Sequence, residues 1–120
     1  METGKYKQQA ESTSSRYHQT RERLGLHIQR AFGGLLIEEH DVPAENHYDV
    51  RLDSFPESRK VLVYPELRTM LKKAGFSLFK RNKEESHFIF ENTLTNEIID
   101  LTVLYSPEIG RLNISMDRYH

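Results

Sequence analysis

Among the side chains that could do chemistry, His87 and Asp100 come first. If the apolar runs around Phe88-Ile89-Phe90 and Ile99-Asp100-Leu101 pair as neighbouring antiparallel strands with their apolar residues on one face, Ile89 falls opposite Asp100 and His87 opposite Thr102. Asp100 is then the diagonal cross-strand neighbour of His87. A carboxylate that holds one ring nitrogen leaves the other free for general acid or base work. Equally, a half-exposed strand histidine can pack on Phe79 and bond Asp100 for stability alone. His40 and His47 stand among Glu38, Glu39, Asp41 and Glu45, but their spacing fits no zinc or calcium ligand pattern. No metal and no cofactor are expected. The chain has no cysteine, and it shows neither a Gly-rich phosphate loop nor a nucleophile elbow.

The cations are the second chemical resource. Residues 59–83 carry eight basic residues against one acidic, whereas residues 35–58 carry seven acidic against one basic. Residues 1–32 hold six basic and three acidic residues, and residues 84–120 two and seven, so a net charge of -1 conceals four blocks of alternating sign. Such blocks make patches. Two expectations compete: the acidic connection and the basic helix neutralise each other within the fold, or Lys60, Arg68, Lys72, Lys73, Lys80, Arg81 and Lys83, with Phe79 beside them, form a docking surface.

These residues must be positioned by one domain, because 120 residues suffice for a single core. Residues 1–14 are too polar to order themselves and read as a flexible tail, leaving 15–120 as the domain. No apolar stretch has signal-peptide or membrane-spanning length, so a cytoplasmic protein with no membrane association is expected. From about Ser15 to Phe32, Tyr17, Leu24, Ile28, Ala31 and Phe32 recur at helical spacing, with Gly33-Gly34 as the stop. Gly25 weakens that helix without breaking it. Glu38 to Glu45 reads as an acidic connection, and Tyr48, Val50 and Leu52 as a half-buried strand. Lys60 to Tyr64 reads as a short strand feeding a helix that starts at Pro65, buries Leu67, Met70, Leu71 and Ala74, and is capped by Gly75.

The remainder reads as a four-stranded antiparallel meander, which makes the fold class α+β. Phe76 and Leu78 are expected to meet Phe90 and Phe88, setting Arg81 opposite Glu85 across the loop Asn82-Lys83-Glu84 and Phe79 opposite His87. Val103 and Tyr105 should face Ile114 and Leu112, with Leu112 to Met116 as an edge strand wet on one face. The second face, with Phe79, His87, Ile89, Ile98, Asp100, Thr102 and Leu104, is too apolar to be plainly solvated. Either the N-terminal helix covers it while the basic helix covers the core face, or a partner or second subunit does.

Leu67-Arg68-Thr69-Met70-Leu71-Lys72-Lys73-Ala74-Gly75-Phe76, followed by Ser86-His87-Phe88-Ile89-Phe90, resembles the HicA family of toxin ribonucleases, whose fold is related to double-stranded-RNA-binding domains. The resemblance spans about a fifth of the chain. It implies that His87 stands at the family's catalytic histidine, with Glu85 where the family has glycine and a turn about two residues longer. Two functions follow from all this. One is a small non-enzymatic adaptor or inhibitor that binds a protein partner through its basic helix or mixed sheet face, with a homodimer as a further form. The other is an RNA-binding or RNA-cleaving module, with the cations on phosphates and His87 and Asp100 as the catalytic pair.

Overall fold

The computed structural model describes residues 16–82 and 86–119. The expected tail, Lys83 and the loop opposite Arg81 lie outside the described residues. The chain runs α1 (Arg16–Phe32), β1 (Leu36–Val42), β2 (His47–Leu52), α2 (Glu57–Lys73), β3 (Ser77–Asn82), β4 (His87–Asn92), β5 (Glu97–Ser106) and β6 (Arg111–Tyr119). Single 3-10 turns, Gly33–Leu35 and Pro43–Glu45, join α1 to β1 and β1 to β2. The six strands form one antiparallel sheet in the order β1-β2-β6-β5-β4-β3.

Both helices bury their stripes against the same face. Tyr17, Leu24, Ile28 and Phe32 of α1 and Val63, Leu67 and Leu71 of α2 join Tyr48, Val50, Leu52, Phe88, Phe90, Ile99, Leu101, Leu112, Ile114 and Met116 in one core. The expectation that α1 covers the second face is therefore corrected: one core takes both apolar stripes, and no described element lies on the far side. Gly25 has a role in this packing. A Cβ there would meet the Tyr48 hydroxyl at 3.3 Å, so the glycine lets α1 sit close over β2.

Three further expectations change. Lys60 to Tyr64 is not a strand, since α2 begins eight residues before Pro65. A helix needs only one buried stripe, and Val63, Leu67 and Leu71 supply it at four-residue spacing. Pro65 deprives the Val61 carbonyl of its helical donor, but Val61 is 67% exposed, so water can replace the missing N–H. Glu38 to Val42 is not a connection but most of β1, held by pairing with β2 rather than by any apolar alternation. β6 is not an edge. It lies between β2 and β5, and its alternation reports one wet face only.

The meander registers hold for Phe88↔Leu101, Phe90↔Ile99, Val103↔Ile114 and Tyr105↔Leu112. The β3–β4 register differs: Leu78 meets Phe90, and an irregularity at Phe79 then sets Lys80 against Ile89 and Asn82 against His87. Phe79 is the extra residue, so it turns outward instead of facing His87. The end of α2 matches expectation. Phe76 N–H donates to Leu71 O at 2.9 Å and Gly75 N–H to Lys72 O at 3.0 Å, a Schellman closure with Gly75 at φ +94°.

Candidate functional site

Strand alternation sends His47, Asp49, Ser115, Asp117, Asp100, Thr102 and His87 to the face that the helices leave open. Across the sheet, one row reads Val42, His47, Asp117, Asp100, Ile89, Lys80, and the next reads His40, Asp49, Ser115, Thr102, His87, Asn82. Asp100 and Asp117 stand directly opposite one another, a repulsive arrangement for two carboxylates. Each recruits a histidine: His87 Nε2 contacts Asp100 Oδ1, and His47 Nδ1 contacts Asp117 Oδ1.

His47 also places Nε2 2.5 Å from Asp49 Oδ2. With a carboxylate at both ring nitrogens, the doubly protonated imidazolium is the form that can donate at each. The hydrogen bond to Asp117 is the main reason its pKa is held above the ordinary histidine value. His40 continues the network, 2.7 Å from Glu38 and 3.8 Å from Asp49. Burial first, then neighbouring Asp100, pushes the Tyr119 hydroxyl up. The diagonal His87–Asp100 contact is the one that strand pairing implies. The His47 triad was not anticipated, although His47 and Asp49, two apart on one strand, were a local signal for a shared face.

Among the described residues no three histidine, aspartate or glutamate side chains are disposed to hold a metal ion.

The cations do not converge on His87. Arg68 and Lys72 line a groove of about 430 Å³ with Phe76, Leu78 and Phe90, on the helix-covered side of the sheet. Lys73, exposed on α2, lines a groove with Arg23, His27 and Glu66, and Lys60 reaches the Tyr105 ring and Glu57. Of the described cations in the expected set only Lys80 shares the open face with His87, and Arg81 pairs with Phe88 on the other. A phosphate brought to His87 would also meet Asp100, with Asp117 directly opposite it, an unfavourable field for an anion.

No known protein family, curated protein or solved structure matches this chain.

The acidic block is occupied elsewhere. Arg21 pairs with Asp41, Arg51 with Glu38 at 3.0 Å, and Arg111 with Asp53 through two nitrogens at 2.7 and 3.3 Å. The Asp53 carboxyl is accordingly held below its usual value, chiefly by the Arg111 hydrogen bond. Mutual neutralisation of acidic connection and basic helix is thus limited, among the described residues, to the local Lys60–Glu57 contact. α2 presents a further feature. Val61 is 67% and Leu62 55% exposed, and Pro65, Arg68, Thr69, Lys72 and Lys73 continue the same outer surface.

Proposed function

We propose that this chain is a non-enzymatic interaction module that binds a protein partner through the outer surface of α2. The observation that carries the reading is the exposure of Val61 and Leu62, two adjacent aliphatic side chains on a helix whose buried stripe is complete without them. Arg68, Lys72 and Lys73 follow within three turns and have no acidic partner among the described residues. A surface that is apolar at one end and cationic at the other fits a partner offering an apolar hollow with carboxylates on one rim. The polar open face fits this reading too, since His87 and Asp100 contact each other across neighbouring strands.

The test is a photo-crosslinking amino acid at position 62, with position 94 as control, because Leu94 is 89% exposed but lies in a turn. The expected result is a protein adduct at 62 only, lost in Arg68→Glu/Lys72→Glu and kept in His87→Ala. Equal labelling at both positions would sink the proposal.

RNA binding of the HicA kind is the second reading. It is favoured by Arg81, on the same helix-covered side of the sheet as the groove that Arg68 and Lys72 line. It requires affinity for an RNA duplex to fall steeply with salt, because each neutralised phosphate releases counterions. A flat salt response eliminates it.

A further inference from the structure

The two outermost strands of the sheet carry opposite charge. β1 brings Glu38, Glu39 and Asp41, and β3 brings Lys80 and Arg81. Every neighbouring pair in the sheet is antiparallel, so over six strands β1 and β3 point in opposite directions. A second copy displaced along the sheet therefore sets its β1 antiparallel to the first copy's β3, with all helices on the same side. The helical layer does not obstruct this. Two helices, each about 10 Å across, roughly match the ~24 Å spanned by six strands, so the layer ends near the edges rather than beyond them.

We infer that this chain associates with itself head to tail, the β3 edge of one copy pairing with the β1 edge of the next. Continuing the existing rows straight across the junction sets Lys80 opposite Val42, Arg81 opposite Asp41 and Asn82 opposite His40. Glu39 is then the diagonal neighbour of Arg81. Face parity is preserved, since Arg81 and Asp41 both belong to the helix-covered side and Lys80 and Val42 to the open side. Charged residues and bulges on edge strands ordinarily guard against sheet extension. Here they act selectively: two β3 edges would oppose cation to cation, and two β1 edges acid to acid. Only the mixed junction is attractive. Because this contact uses different surfaces on the two copies, it leaves a free edge at each end.

Sedimentation velocity across a concentration series, at low and high salt, tests this with two variants. Lys80→Glu/Arg81→Glu makes both edges acidic, and Glu39→Lys/Asp41→Lys makes both basic; all four positions are exposed. Wild type should form species heavier than a monomer at low salt and fewer at high salt. Each variant alone should associate roughly ten-fold more weakly or worse, and an equimolar mixture of the two should recover the wild-type distribution. Recovery on mixing also shows that both variants are folded. The inference is overturned by a wild type that stays monomeric throughout, by variants that associate as wild type does, or by a mixture that stays monomeric. Val61→Ser/Leu62→Ser should leave this association unchanged, which separates it from the partner surface on α2.

Discussion

β5 and β6 carry a carboxylate–cation arrangement on each face of the sheet, and the two differ in solvent more than in chemistry. On the helix-covered face, Glu97 and Arg118 are in contact at 3.4 Å with side chains only 4% and 13% exposed. On the open face, Asp117 holds His47 with both side chains about a third exposed. Asp117 and Arg118 are consecutive residues, separated into these two environments by the strand pleat alone. The covered group is part of the fold. Glu97 Oε2 accepts the Tyr17 N–H at 3.1 Å, which places a carboxylate at the N-terminus of α1, and the Tyr17 hydroxyl donates to Met116 O at 2.8 Å. The exposed group is adjustable, because water can replace either partner.

The largest effect expected from this contrast is at Glu97. Glu97→Ala removes the buried carboxylate that contacts Arg118 and accepts the first-turn N–H of α1, and should cost about 3–5 kcal/mol. His87→Ala on the open face should cost less than about 1 kcal/mol. Urea midpoints of the two variants check the difference. Equal losses would mean that burial does not separate the two faces.

What was legible in the sequence follows the same division between local pattern and distant pairing. The β4, β5 and β6 registers could be read because Phe88 and Phe90, Ile99 and Leu101, and Leu112 and Ile114 can share a face in only one way. That register carried the His87–Asp100 contact with it. β1 could not be read, because Glu38-Glu39-His40-Asp41 has no apolar alternation and its extended form is imposed by β2. Lys60 to Tyr64 misled because a five-residue apolar run fits strand or helix equally well. The β3 register failed from its first apolar pair, because Phe76 closes the end of α2 and leaves Leu78 to meet Phe90, and the extra residue at Phe79 shifts the pairing again. The His47–Asp117 contact needed the knowledge that β2 lies against β6, seventy residues away in sequence.

An intermediate effect is expected where backbone geometry, rather than charge, supports the covered face. Gly75 holds φ +94°, and an added Cβ would lie 3.0 Å from Nδ2 of Asn92, a buried side chain whose Oδ1 accepts the Leu94 and Thr95 N–H groups. Gly75→Ala combines left-handed strain with that contact and should cost about 1–3 kcal/mol. Thermal unfolding gives the value. A loss below that of His87→Ala would show that the end of α2 relaxes without cost.

The smallest effect, and the one that isolates the open face, is on the pH dependence of stability. The folded protein holds the His47 pKa above the ordinary histidine value, so the native state binds this proton more tightly than the unfolded chain does. Its stabilising contribution is fully present below about pH 6.5 and is lost as pH rises through the raised folded value. Wild-type stability should therefore decline over that window. Asp117→Asn removes the main cause of the shift and should flatten the decline. It also relieves the Asp100–Asp117 opposition, which can raise the whole curve, so slopes must be compared rather than levels. Urea midpoints from slightly acid to mildly alkaline pH supply both slopes, and the histidines other than His47 cancel in their difference. Parallel curves would mean that Asp117 does not hold the His47 proton in the fold.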